Sequence, residues 1–152
     1  MSNFNPSVPS HVPEGSRLNY NETTFDLTRN NTAIILRANA TASASVAITD
    51  TNYNARGVLV YFNINTLPAS GSTTLALKIQ SVNPVTGDFF TILSGAARSA
   101  SGTTVMMIGP GISASALGVA ANLPRDLRYL VSQSSGATSK DVTFSIGLHY
   151  IV

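Results

Sequence analysis

From Val142 to Ile151 apolar and polar side chains alternate: Val142, Phe144, Ile146 and Leu148 against Thr143, Ser145, Gly147 and His149. Successive side chains of an extended chain point to opposite faces, so this stretch predicts a strand with one buried and one open face. The same alternation sets Leu75, Leu77 and Ile79 against Thr74, Ala76 and Lys78. From about residue 32 onward, short β-branched and aromatic runs recur at intervals of roughly 8–12 residues, separated by turn residues. That spacing is the mark of an all-β sandwich or barrel. The predicted strands are Ala33–Arg37, Ser43–Thr49, Gly57–Ile64, Thr73–Val82, Phe89–Leu93, Thr103–Ile108, Leu127–Gln133 and Val142–Ile151.

The breaks between runs have turn chemistry. In Asn83-Pro84-Val85-Thr86-Gly87-Asp88 the proline fixes its own φ and Gly87 is free to take a positive one, which predicts a hairpin joining two strands directly. Ser70-Gly71-Ser72, Gly109-Pro110-Gly111 and Ser134-Ser135-Gly136-Ala137 are read as turns as well. The stretch Ile112–Asn122 has neither an aromatic nor a charged residue and is expected to be a loop rather than a helix. In Tyr61-Phe62 and Phe89-Phe90 the two rings must face opposite ways, so one of each pair is expected in the core.

Residues 1–30 differ from the rest. Pro6, Pro9 and Pro13, several asparagines and no sustained periodicity predict an extended N-terminal arm ahead of a sandwich domain over 31–152. Such an arm gains order only by being tied to something, with Phe4, Val8, Leu18, Tyr20 and Phe25 as the anchors. The partner is either its own domain or a neighbouring chain.

A chain of 152 residues can bury a substantial core as one domain. Its charged fraction is only 11%, against about 25% in an ordinary soluble domain. Freely diffusing monomers keep surface charge to stay apart, so a surface of Ser, Thr, Ala and Asn suits a protein packed against neighbours. The basic residues are scattered, which argues against nucleic acid. Arg125 and Arg128 are the closest basic pair and join the arm anchors as candidate contact residues. There is no cysteine, hence no disulfide or thiolate metal site. The first residues lack a basic and then apolar leader, and no apolar run approaches the roughly 18 residues of a membrane span. The expectation is a cytoplasmically made protein without membrane association. The sequons at Asn21, Asn30 and Asn39 are then chance in a chain rich in Asn and Thr.

Reactive constellations are not legible. His11 lies in the arm and His149 in the last strand, where an ordinary strand residue is expected, and no serine sits in a Gly-x-Ser-x-Gly elbow. Of the seven carboxylates, Glu14, Glu22, Asp26, Asp50, Asp88, Asp126 and Asp141, those at 50, 88 and 141 fall at turns or strand ends, where such side chains usually bond the local backbone. Asp50 and Asn52 do not extend into a calcium loop. The expectation is no enzyme, no cofactor, no metal and no small-molecule substrate.

The order of segments does carry a resemblance. Ala55-Arg56-Gly57-Val58-Leu59-Val60-Tyr61, Thr74-Leu75-Ala76-Leu77-Lys78-Ile79-Gln80, the run from Pro84 to Ala96, Gly102-Thr103-Thr104-Val105 with Ile108-Gly109-Pro110-Gly111, Leu123-Pro124-Arg125 and Phe144-Ser145-Ile146-Gly147 resemble head decoration (cement) proteins of tailed bacteriophages. The likeness covers about residues 55–151. It implies an antiparallel β-sandwich of jelly-roll type, commonly a homotrimer, that sits on the outer capsid surface and clamps the major capsid protein. The implied location is the virion, after assembly in the host cytoplasm. A tail, neck or fibre-base protein, or a glycan-binding sandwich, are the competing readings.

Overall fold

The computed structural model describes residues 32–68, 73–134 and 141–152. The arm anchors Phe4, Val8, Leu18, Tyr20 and Phe25 lie outside the described residues, as do two of the turns, 70–72 and 135–137. The described chain is all strand: β1 (Thr32–Ala42), β2 (Val46–Thr51), β3 (Gly57–Thr66), β4 (Thr74–Val82), β5 (Phe89–Ser94), β6 (Gly102–Ile108), β7 (Gly118–Val119), β8 (Asp126–Ser134) and β9 (Val142–Ile151). These form two sheets, with strand orders β1-β9-β3-β6-β7 and β2-β8-β4-β5, hereafter sheets A and B.

The pairings nest. β4 and β5 form a hairpin, β3 pairs with β6, β2 with β8 and β1 with β9, all antiparallel. The doubled ribbon then rolls so that β9 also pairs with β3, and β8 with β4. Rolling puts the apolar face of each strand inside. Val58, Val60, Phe62, Ile64, Met106, Ile108 and the alternating set Val142 to Tyr150 from sheet A meet Leu75, Leu77, Ile79, Leu93, Leu127, Tyr129 and Val131 from sheet B in one core. The rings of Phe62 and Phe144 meet edge to face, 5.8 Å apart, a favoured aromatic geometry.

β9 falls where the alternation puts it, and the other strands keep their place with shifted ends. β1 runs on to Ala42 because bulges between Ile35 and Arg37 and between Arg37 and Ala40 let it bend without leaving β9. Arg37 donates to the Ala40 and Thr41 carbonyls, at 3.3 Å each, and lays its guanidinium over the Phe144 ring, 4.5 Å from the centroid. β2 starts at Val46, since Ser43 and Ala44 make the bend between sheets. Inside the stretch expected to be a loop, Gly118–Val119 pairs with Met107–Ile108 as a short parallel strand. Gly87 takes φ +78° in the β4–β5 turn, where the Asn83 side chain accepts from the Val85 amide at 2.9 Å.

One expectation fails. Phe62 is buried and Tyr61 is exposed, but Phe89 and Phe90 are both exposed, at 46% and 58%. β5 is the outer strand of sheet B, and its pairing slips by one residue at Ile79/Gln80. Leu93 is consequently the buried residue of β5, and Phe90 stands at the rim.

Candidate functional surface

The two sheets present different outer faces. On sheet A the outward residues of neighbouring strands align in rows across the sheet. One row is Ala33, His149, Leu59, Met107, and the next is Ile35, Gly147, Tyr61, Val105. Ile35 is 77% exposed, while Tyr61, Val105 and Met107 are each about 38–39% exposed. Leu117 extends the patch past Met107, whose amide donates to the Leu117 carbonyl at 2.8 Å. Gly147, between Ile35 and Tyr61, has no side chain, and an added Cβ would lie 3.9 Å from the Tyr61 Cβ. The following row is polar but neutral: Ser145, Asn63 and Thr103, with the Thr103 hydroxyl donating to Asn63 Oδ1 at 3.0 Å.

The sheet A strands contain one permanently charged side chain, Arg37, and it is drawn inward over Phe144 as described. His149 is half-buried between Ala33 and Leu59 on the outer face. A contiguous apolar strip without charge, rimmed by neutral polar groups, is the composition of the fully buried centre of a protein interface.

Sheet B faces outward with Lys78, Gln80, Thr91 and Arg128. The Arg128 guanidinium stacks 4.0 Å from the Phe89 ring centroid and donates to Gln80 Oε1 at 3.4 Å, and Gln80 in turn donates to Thr91 Oγ1 at 3.2 Å. Arg125 does not share this cluster. It lines an open cleft of about 520 Å³ at one end of the sandwich, with Tyr53, Asn54, Arg56 and Asn122. Asn52 frames that cleft: its amide donates to the Ala55 carbonyl at 2.9 Å, and its Oδ1 accepts from the Ala55 amide at 2.8 Å. Arg125 and Arg128, both candidate contact residues by sequence, thus lie on different surfaces.

The described carboxylates Asp50 and Asp88 bond locally or across the core. Asp50 accepts from the Thr51 amide at 2.9 Å and, across the sandwich, from the Tyr150 hydroxyl at 2.5 Å. Asp88 accepts from the Thr86 hydroxyl at 2.6 Å. Among the described residues no three His, Asp or Glu side chains come together as a metal site would require. Burial raises the Tyr150 pKa far above the usual phenol value, with the Tyr129 ring system and the Asp50 carboxylate adding to it. Burial does the same to Tyr129. The Tyr129 hydroxyl lies beside that of Tyr150 but makes no hydrogen bond of good geometry.

Sequence reasoning placed Tyr61 on a face opposite Phe62, but the convergence of Ile35, Tyr61, Val105, Met107 and Leu117 needs the register of β1, β9, β3 and β6. No family model matches the chain, and a search of curated proteins returns no significant match.

Proposed function

We propose that this chain is a structural protein of a tailed-phage virion, a decoration protein that binds the outer surface of the head and reinforces contacts between major capsid subunits. The reading rests on one observation above the others: on the outer face of sheet A two adjacent rows across four strands are mostly apolar and hold no permanently charged side chain. A lone soluble domain gains nothing from such a face, whereas a shell component buries it on assembly. The low charge of the whole chain and the resemblance carried by residues 55–151 support the same reading. The nested pairing of β1 with β9, β2 with β8, β3 with β6 and β4 with β5 supports a jelly-roll reading of the sandwich, a fold class that serves in viral capsids among other roles. Binding only to the assembled shell stabilises that shell by mass action, and many copies multiply a modest contribution from each.

The test is direct addition of purified protein to heads stripped of surface proteins, followed by sedimentation. Saturable binding with a fixed stoichiometry per capsid subunit is expected; protein left in the supernatant at all concentrations refutes the assignment. The competing glycan-binding reading draws on exposed Tyr53 beside Arg56, Arg125 and Asn122 in the end cleft. Hits on a glycan array that vanish with Tyr53→Ala would favour it instead.

A further inference from the structure

We infer that the end cleft is a docking site for an acidic peptide segment of a protein partner, whose carboxylates are held by Arg56 and Arg125. The decoration reading makes no use of this cleft, which lies apart from the outer face of sheet A.

The cleft has a fixed frame. Its walls come from two separate segments, the loop 52–56 between β2 and β3 and the lead into β8 at 122–125. Asn52 ties them together. Its backbone amide donates to the Arg125 carbonyl at 2.6 Å and its side-chain amide to the Leu123 carbonyl at 3.4 Å, while the same side chain closes the loop onto Ala55. The Arg56 amide donates to the Ile151 carbonyl at 2.8 Å and so pins the loop to the end of β9. Walls held before a ligand arrives lower the ordering cost of binding.

Each segment contributes one exposed arginine to this frame, with Tyr53 and the exposed side chains of Asn54 and Asn122 around them. The other described arginines are engaged. Arg37 bonds two carbonyls and covers Phe144, Arg98 donates to the Thr104 hydroxyl at 2.7 Å, and Arg128 stacks on Phe89. Arg56 and Arg125, by contrast, have neither an ion pair nor a side-chain hydrogen bond among the described residues, and no described carboxylate lines the cleft. Two like charges are thus left at one opening, where an anion relieves their repulsion.

The donor set selects among anions. Backbone amides, which cradle phosphate in turns and at helix starts, are already spent here: those of Asn52, Ala55 and Arg56 all have acceptors. The guanidinium forks remain, and their parallel N–H groups match a planar carboxylate. A sugar hydroxyl both donates and accepts, yet the acceptors left for it are few beside so many donors. An acidic peptide offers carboxylates to the forks, and its backbone offers amides and carbonyls to Asn54 and Asn122, whose side chains each carry a donor and an acceptor. Recognition of acidic motifs by clustered arginines is a recurrent mode of peptide binding. The open volume of about 520 Å³ lies within the range of ligand sites and lets a chain pass through.

The experiment is calorimetric titration of the full chain at low salt with a capped glutamate hexapeptide, and with the glutamine hexapeptide as its uncharged counterpart. Binding of the first at one site and none of the second is expected. Arg56→Gln and Arg125→Gln each weaken it about 10-fold, and the pair about 100-fold, since each removes a charge-assisted set of bonds. Arg125→Lys keeps the charge but not the fork and falls between. Lys78→Gln, on the outer face of sheet B, changes nothing. Neither guanidinium bonds the fold, so all variants melt with the unmodified chain.

No binding at millimolar peptide overturns the inference, as does equal binding of the glutamine peptide or an affinity indifferent to the double variant. Inorganic phosphate or a glucuronate oligomer that binds the same two arginines more tightly than the glutamate peptide also overturns it, giving the cleft to a free anion or a sugar. The titration contains no heads. Its failure therefore leaves decoration standing, and a chain that binds no head leaves this site standing.

Discussion

The hydrogen bond from Tyr150 to Asp50 joins β9 of sheet A to β2 of sheet B across 100 residues of sequence, and cutting it tests whether the layers are held by more than apolar contact. Tyr150 is 6% exposed, so Asp50→Ala removes a bond to a carboxylate and leaves a hydroxyl in the core edge with only the poorly placed Tyr129 hydroxyl beside it. Bonds to charged groups contribute about 1.5–3 kcal/mol, and a stranded buried donor loses its hydration as well. The expected loss is therefore about 2–3 kcal/mol, or a fall in Tm of roughly 4–12 °C for a domain of this size. Tyr150→Phe costs less, because Asp50 keeps the Thr51 amide and can turn toward water. Tyr129→Phe is the internal control. Its hydroxyl has no hydrogen bond of its own, so its removal should be neutral or slightly stabilising. Urea unfolding of the three variants and of the Asp50→Ala/Tyr150→Phe pair supplies the coupling between the two groups. A change below about 0.5 kcal/mol for Asp50→Ala, or a loss above about 1 kcal/mol for Tyr129→Phe, refutes the reasoning.

The same two tyrosines predict an alkaline limit. Both have folded-state pKa values raised above the unfolded value of about 10 by burial. Above that pH the unfolded chain releases protons that the folded chain keeps, so stability is intact below pH 10 and falls beyond it, by up to about 2.7 kcal/mol per pH unit for the pair. Tyr129→Phe should roughly halve that slope in unfolding measured between pH 10 and 11.5. At Gly57 an added Cβ would lie 2.8 Å from the Ile108 carbonyl oxygen, so Gly57→Ala must part β3 from the end of β6. A loss of about 1–3 kcal/mol is expected by urea unfolding. Gly87→Ala, at φ +78°, should cost about 1–2 kcal/mol without changing the sheets. Deleting residues 1–25 should weaken head binding while leaving the circular dichroism of the sandwich intact; undiminished capsid occupancy removes the arm's role.

Local sequence was a good guide wherever local chemistry decides. β9 alternates over its whole length because one sheet face is core throughout, and its limits were readable to the residue. The positive φ of Gly87 followed from the turn chemistry around it. Phe89 and Phe90 misled because burial at a sheet edge depends on the facing layer, not on alternation. Gly118–Val119 was invisible, since two residues carry no period. The apolar face was hidden for a related reason. Ile35, Tyr61, Val105 and Met107 are unremarkable one at a time, and they become a surface only through pairings between strands far apart in the chain. Charge scarcity pointed to a surface poor in charge but did not single out the outer face of sheet A.

A reconstruction of the virion by electron microscopy bears most directly on the claim that this sandwich works by contact within a shell. The account predicts density of this fold repeating with the capsid lattice on the outside of the head. Density confined to the tail or neck, or a head surface free of this protein, contradicts it.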